Sequence, residues 1–380
     1  MSLYEYFISS IITSLFHSYE ICSQFNLTEE VLSTSKKRNK FYEDALYFYE
    51  MMGTGPHPSI KHLQGVQSPT AINFNNVLLD INTIKILFHL LPTTKITTIK
   101  LNNNNFNLKC LECLVKNLTE KENSINNITY EWNSDIIIDD IKYSYKDIAL
   151  YEDEKLLQDI KKSQNFLINL VTHLPSKLEV VCLRGNFLGD EVAIKIFEGM
   201  KQEENNIRVL NLFKNNLTDE CIKTFSDMIL VNRNLEEINF GNNMLTDEAL
   251  NLIIKNYGKF KLNTEEVEEY KRLDKERQDI IKQNAKLKAA KKPEIEVPYL
   301  DELKEIDGEY YKVKNDCLRV FNLIQNNFTE KSFDNVVKLL QGNINTVLTI
   351  EGKPYTEEQK AILKDTENEY KFGDRIFLLK

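Results

Sequence analysis

The sequence contains few residues of the kinds that build catalytic, metal or disulfide-stabilised sites. It has 5 histidines, 6 cysteines and 1 tryptophan among 380 residues. The cysteines are too sparse for a disulfide scaffold, so reduced thiols in an intracellular protein are expected. The histidines are dispersed, and neither a His-Glu-x-x-His motif nor a Cys/His/Asp grouping occurs. We therefore predict no metal, no cofactor and no enzymatic activity.

An excess of positive charge and a long apolar run are also missing. The formal net charge is −9, whereas proteins that bind phosphate backbones normally carry a basic surface. The apolar stretch at 1–16 carries Glu5 and has neither a basic region nor a cleavage site, so a signal peptide is not expected. This stretch is too short to span a bilayer. We expect a cytoplasmic protein without nucleic-acid or membrane partners.

Three motif-like stretches are interpreted as structural. Cys110 and Cys113 form a CxxC pair, but the two further ligands that a zinc site needs are absent nearby. Gly53-Thr-Gly55 lacks the later glycine and lysine of a phosphate loop, so it is predicted to be a turn. The Asp-Glu pair after Thr218 lacks the glycine-centred loop of a calcium site and is a predicted helix start.

The sequence does contain a repeated pattern, L-x-x-L-x-L-x-x-N-x-L. The stretches VLNLFKNNLTDE (209–220) and EINFGNNMLTDE (237–248) are nearly identical, and units without an insertion start 27 to 29 residues apart. Alternating apolar residues predict a short strand, the Asn a turn, and Thr-Asp-Glu a helix start. The apolar spacing then changes from two to three or four, as in a helix. The repeat asparagines are Asn104, Asn133, Asn186, Asn215, Asn243 and Asn326.

With these units the sequence resembles the leucine-rich-repeat proteins, specifically the long-repeat, ribonuclease-inhibitor-like subclass. The resemblance covers about 69–258 and 317–356, and it implies an α/β solenoid. In that fold, called a horseshoe, a curved parallel sheet lies inside and the helices lie outside. The departures from the pattern are a degenerate first unit with Val77 in place of the Asn, a third unit slipped by one position, and two insertions.

The regions outside the pattern complete a four-part organisation. Residues 1–68 are a predicted N-terminal helical capping region, because a solenoid needs its first core layer covered. Residues 69–258 hold the leucine-rich repeats, with an insertion at about 137–165. A charged helical insertion follows at 259–316, and 317–380 hold the final repeats and a C-terminal cap.

The second insertion is expected to contain one long charged helix at 264–292. Apolar residues recur there every seven positions, but the intervening seam positions are Tyr270, Arg277 and Asn284, which make a poor coiled coil. We expect this helix to project and bind a partner, or to pack partly on its own solenoid.

The repeat register predicts which residues face the concave groove, namely the x positions of the pattern. Trp132, Phe213 and Ile324 have no core to fill at such positions, and aromatic residues and Arg dominate interface energetics. The alternative is that they pack against the first insertion or another local segment. The predicted protein-binding residues are Lys100, Glu131, Trp132, Arg184, Phe213, Lys214, Glu236, Glu237, Arg319 and Ile324.

These features predict a non-enzymatic scaffold whose partners are other proteins. Repeats interrupted by charged helical insertions resemble the leucine-rich-repeat proteins of cilia and flagella. That resemblance implies a structural role in the cytoskeleton, at the ciliary axoneme, with axonemal or microtubule-associated partners. One alternative is a regulator of a small GTPase, although GTPase-activating proteins of this subclass carry an acidic C-terminal tail and this chain ends YKFGDRIFLLK. Another is an inhibitor of a specific enzyme.

Overall fold

The computed structural model is a mixed α/β structure built on a nine-stranded parallel sheet. It describes residues 27–33, 40–104, 106–133, 135–139, 141–173, 177–298, 300–306, 308–342, 345–368 and 376–379. The sheet is open, with its first and last strands at the two edges, so it does not close into a barrel. The predicted α/β class and parallel sheet are thereby confirmed. The apolar stretch at 1–16 lies outside the described residues.

The strands, in chain order, are β1 (Ala71–Asn73), β2 (Thr98–Lys100), β3 (Phe106–Asn107), β4 (Asn127–Thr129), β5 (Asp135–Ile138), β6 (Ile141–Ser144), β7 (Val180–Cys182), β8 (Val209–Asn211), β9 (Glu237–Asn239), β10 (Lys259–Lys261), β11 (Glu302–Ile306), β12 (Glu309–Val313), β13 (Val320–Asn322), β14 (Val347–Glu351) and β15 (Ile376–Leu379). The helices are α1 (Glu29–Ser33), α2 (Phe41–Met51), α3 (Pro58–Lys61), α4 (Ile81–Leu90), α5 (Leu108–Glu120), α6 (Glu154–His173), α7 (Asp190–Gly199), α8 (Asp219–Val231), α9 (Asp247–Lys255), α10 (Thr264–Ala289), α11 (Phe333–Gly342) and α12 (Glu357–Asn368).

The large sheet has the order β1-β2-β4-β7-β8-β9-β13-β14-β15, so nearly every repeat contributes one strand. The apolar residues aligned in the sequence pattern are direct register partners across the sheet. They are Ile72, Ile99, Ile128, Val181, Leu210, Ile238, Phe321 and Leu348. All of them are buried, and neither insertion disturbs the register. The ninth strand, β15, was not predicted from the sequence; its Ile376 pairs with Leu348.

The core lies between this sheet and the helices that connect its strands. Helices α4 to α9, then α11 and α12, each pack against the next one in that series. Thr218 caps α8 by accepting a hydrogen bond from the Glu220 N–H at 3.3 Å, as its position before the helix predicts. In the core the Phe225 ring lies 5.0 Å from Phe240 and 5.3 Å from Phe197, edge to face. Truncating any of these buried rings to alanine would cost about 3–5 kcal/mol.

The described part of the N-terminal region packs on the first repeat. Helix α2 lies against α4, where the Tyr49 hydroxyl and Thr83 Oγ1 are 2.7 Å apart. Phe48 meets the His89 ring edge to face at 5.7 Å. Both Phe48 and Tyr49 are fully buried. This helix therefore covers the otherwise exposed end of the core.

The first insertion consists of a hairpin, a short 3-10 helix and the beginning of α6. Strand β5 pairs with β3 in parallel and with β6 in antiparallel fashion, which forms a small separate sheet. The 3-10 helix, Tyr145–Leu150, is tied to α6 through the Tyr145 hydroxyl and Ser163 Oγ, 2.6 Å apart. Because α6 packs between α5 and α7, it is one of the series of helices that connect the strands of the large sheet.

The second insertion combines the predicted long helix with three strands that were not predicted. Strands β10, β12 and β11 form an antiparallel sheet in that order. Helix α10 has 26 residues, about 39 Å, and starts with a capping box in which Asn263 and Glu266 bond each other's backbone N–H groups.

The seam of α10 holds the insertion's own returning chain. Asn284 Nδ2 donates to the Ile295 carbonyl at 2.6 Å, and its Oδ1 accepts from the Ile295 N–H at 2.7 Å. One heptad earlier, Arg277 Nε donates to the Pro298 carbonyl at 3.2 Å. Seven helical residues rise about 10.5 Å, which matches three extended residues at about 3.3 Å each. The polar seam therefore fits an extended segment, and α10 packs on its own insertion.

Within the described residues, no helix combines the length and apolar character needed to cross a bilayer.

Candidate functional site on the open sheet face

The repeat asparagines form a ladder of hydrogen bonds where the strands end. Asn215 Oδ1 accepts from the backbone N–H groups of Asn186 and Leu188, both at 3.1 Å. Its Nδ2 donates to the carbonyls of Leu183 at 3.0 Å and Leu212 at 2.9 Å. Corresponding bonds connect the other ladder members, Asn104, Asn133, Asn186, Asn243 and Asn326. These side chains satisfy the main chain at each turn, so we assign them to folding and not to a binding site.

A second ladder, which the sequence analysis missed, joins the helix starts of neighbouring units. Asp219 accepts from the Thr246 N–H at 2.8 Å and from its hydroxyl at 2.5 Å. Asp190 makes the same pair of bonds with Thr218, at 2.9 and 2.7 Å. The first acid of each Thr-Asp-Glu or Gly-Asp-Glu stretch therefore binds the next unit, in addition to any effect on its own helix dipole.

The residue before each repeat asparagine, and before Val77 in the degenerate first unit, has a left-handed backbone. These residues are Asn76 (φ 58°), Asn103 (φ 54°), Trp132 (φ 59°), Gly185 (φ 70°), Lys214 (φ 55°), Asn242 (φ 54°) and Gln325 (φ 57°). Asn and Gly are the residues that tolerate this conformation, so four of the seven are what the backbone favours. A bulky aromatic residue is disfavoured there by about 1 kcal/mol or more. Trp132 is thus a costly choice for the fold.

Trp132 takes part in a stack of rings and cations on the open face, the face of the large sheet away from its connecting helices. Arg184 Cζ lies 5.0 Å from the centroid of the Trp132 ring and 4.6 Å from that of Phe213. Lys214 Nζ lies 4.9 Å from the Trp132 centroid. The structure therefore brings together four of the residues that the repeat register placed on this face. Ile324 lies beside Phe213, since both approach Gly241, and we call Trp132, Arg184, Phe213, Lys214 and Ile324 the aromatic–cation strip.

Two glycines make the strip possible, and the sequence analysis missed both. A Cβ atom on Gly185 would lie 2.5 Å from Trp132 Cε3, far inside van der Waals contact. A Cβ atom on Gly241 would lie 2.8 Å from Phe213 Cδ2 and 3.0 Å from Ile324 Cγ1. Each ring therefore packs against a glycine, where a side chain would leave it no room. The sequence does contain a signal for this packing. When the repeats are aligned, each glycine occupies the same position as the aromatic residue of the neighbouring unit.

Two predicted residues at the opposite end of the strands, Glu236 and Arg319, form a separate ion-pair ladder with Arg208, which was not predicted. Arg208 Nε lies 2.8 Å from Glu236 Oε1, and Arg319 binds the other carboxylate oxygen. The hydrogen bond from Arg208, together with Arg319, holds the pKa of the Glu236 carboxyl below its usual value. Glu236 and Arg319 are therefore engaged with each other and do not join the strip.

The remaining predicted residues lie beside the strip. Glu131 Oε2 accepts from Asn102 Nδ2 at 3.4 Å, on the side towards β2. Burial, followed by the charges of Glu131 and Glu237, raises the pKa of the Cys182 thiol to about 11. Lys100 is exposed on β2. Trp132 contacts Arg184 and Lys214, and neither of these residues belongs to the first insertion, against which Trp132 could have packed instead.

Reactive groups outside the strip are held in structural roles. Burial raises the pKa of the Cys110 thiol to about 12 and also raises that of Cys113, so both remain protonated at neutral pH. Burial lowers the pKa of His57, whose Nε2 lies 3.0 Å from the Leu78 carbonyl. Across the described parts of the chain, no group of three or more His, Cys, Asp or Glu side chains is arranged to hold a metal ion.

A second surface is a groove of about 1230 Å³ between α10 and the helices α9 and α11. Its walls carry both charge signs, with Glu265 and Glu269 on the helix and Lys312 and Lys338 opposite. Leu273 of α10 is 37% exposed beside it. The groove lacks the stacked cations and rings of the open face.

Comparison of the sequence with protein-family models and with curated proteins found no match.

Proposed function

We propose that this chain is a non-enzymatic leucine-rich-repeat scaffold of the ribonuclease-inhibitor-like kind, and that it binds another protein on the concave face of its sheet. The repeat assignment is supported by units of 27 to 29 residues, each with one strand and one helix, and by the asparagine ladder between them. Such repeats present a long, rigid surface whose outward residues are free of folding duties.

The observation that carries the binding proposal is the Trp132–Arg184–Phe213 stack over two glycines. Trp, Tyr and Arg supply most of the energy of protein interfaces. The fold itself gains little from Trp132 at this position, since a left-handed backbone is unfavourable for a bulky aromatic residue. Departures from the local rules of a repeat concentrate at functional sites.

The test is recovery of partners from native cell extract with the tagged full chain. Trp132→Ala combined with Phe213→Ala should abolish recovery of the partners that the wild-type chain retains, at an unchanged melting temperature. Val231→Ala, which removes an exposed apolar side chain on α8, is the matched control and should change nothing. Equal recovery by the folded double variant would refute the assignment of the strip.

We further propose that the scaffold serves in the ciliary axoneme. What supports this is the resemblance of repeats interrupted by charged helical insertions to leucine-rich-repeat proteins of cilia and flagella, with α10 as the charged insertion helix here. A tagged chain should then remain with isolated, detergent-extracted axonemes. A diffuse signal in the cell body, with none in the axonemes, would contradict this placement.

A further inference from the structure

We infer that the aromatic–cation strip recognises an acidic, extended segment of its partner, in which an Asp or Glu carboxylate binds Arg184 beside Lys214 and an apolar side chain covers Phe213 and Ile324. This rests on the proposed function, because it specifies the chemistry of what the same face binds.

The two cations of the strip are available to bind an acidic group. Neither Arg184 nor Lys214 forms an ion pair with any described residue, whereas Arg208 and Arg319 on the same sheet share Glu236. Glu131, on the strand next to Arg184, turns to Asn102 instead.

The Arg184 side chain is held between two aromatic rings. Its Cζ lies 5.0 Å from the centroid of Trp132, in the preceding unit, and 4.6 Å from that of Phe213, in the following unit. Nε is buried without a hydrogen-bond partner among the described residues. A fixed guanidinium edge matches the two oxygens of a carboxylate, and partial removal from water strengthens that bond.

The length and polarity of the strip match a short extended segment. From β4 to β13 it crosses four strand spacings of about 4.8 Å, or about 19 Å, which five or six extended residues can cover. The Arg184 guanidinium and the Lys214 ammonium lie beside Trp132, towards β4, whereas Phe213 and Ile324 meet beside Gly241, towards β13. The expected ligand therefore has an acid and an apolar residue a few positions apart.

The experiment is selection of a random linear twelve-residue peptide display library on the immobilised full chain. Peptides selected by the wild-type chain should be enriched in Asp or Glu near Leu, Ile or Phe. Selection on Arg184→Gln should lose the acidic enrichment and keep the apolar one. Lys201→Gln, a substitution of an exposed lysine after α7, is the control and should select as the wild type does.

A double-mutant cycle then tests the contact itself. For a selected peptide, replacing its Glu by Gln and replacing Arg184 by Gln should each weaken binding about tenfold, and combining them should add little. Additive losses, a lack of acidic enrichment, or tighter binding of a phosphoserine in place of the Glu would overturn the inference. If peptides are enriched and depend on Trp132 but not on charge, the proposed function stands and this inference fails. If no peptide depends on Trp132 or Phe213, both fail.

Discussion

Replacement of Asn215 by alanine should be among the most destabilising changes available in the repeats. Its side chain forms four short hydrogen bonds with main-chain groups, at 2.9 to 3.1 Å, and is 6% exposed. Alanine would leave two N–H and two carbonyl groups without these partners. At a net value of about 1 kcal/mol for each bond, the loss is about 4 kcal/mol. That is a large fraction of the stability of an ordinary domain.

The neighbouring Asn216 supplies the control, because it is exposed and its side chain forms no hydrogen bond with the described residues. Asn216→Ala should stay within about 0.5 kcal/mol of the wild type. Urea unfolding monitored by circular dichroism gives the free energies. Hydrogen exchange at the amides of Asn186 and Leu188, which donate to Asn215, localises the effect. Equal stability of the two variants, or unchanged protection of both amides, would refute the ladder.

Four further predictions concern the strip, a thiol and the second insertion. Trp132→Asn should keep stability within about 1 kcal/mol, because Asn tolerates the left-handed backbone, yet it should abolish partner binding. Gly185→Ala should lower the free energy of unfolding, measured by thermal unfolding, by more than about 1 kcal/mol. The loss should be measurably smaller in the Trp132→Asn background, which lacks the ring, and equal losses in both backgrounds would contradict the packing of Trp132 on Gly185. Because the Cys110 pKa is about 12, its iodoacetamide alkylation, followed by mass spectrometry, should rise about tenfold per pH unit from 8 to 10, and a plateau by pH 9 would contradict burial. Asn284→Ala should release the returning segment and speed tryptic cleavage at the lysines between Asn284 and that segment. Replacement of the exposed Gln283 by alanine should not, and equal cleavage rates for the two variants would contradict the packing of the segment on α10.

The sequence predicts the large sheet well because its signal recurs. An apolar residue at the same place in every unit, such as Ile72, Leu210 or Leu348, specified the strand register as well as the strand itself. Elements that occur once were missed, among them the β5–β6 hairpin, the sheet of the second insertion and β15. Where a short strand occurs only once in the chain, its weak alternation of apolar and polar residues is not supported by a second copy of the same pattern.

The site was predictable residue by residue but not as an arrangement. The register placed Trp132, Arg184 and Phe213 on the open face, yet their stacking depends on glycines in the neighbouring units. Glu236 and Arg319 were grouped with them because both occupy x positions. Their opposite charges in adjacent units, at directly neighbouring places, are typical of a cross-strand ion pair, and that signal separates them from the strip.

Crosslinking mass spectrometry on the native assembly, with a lysine-reactive reagent, tests the binding face most directly. Lys100 and Lys214 lie on the open face, whereas Lys195 and Lys223 lie on the outer helices α7 and α8. We predict crosslinks from Lys214 and Lys100 to one partner protein. Crosslinks to partners from Lys195 and Lys223 alone, with Lys214 still reactive towards small reagents, would contradict the account.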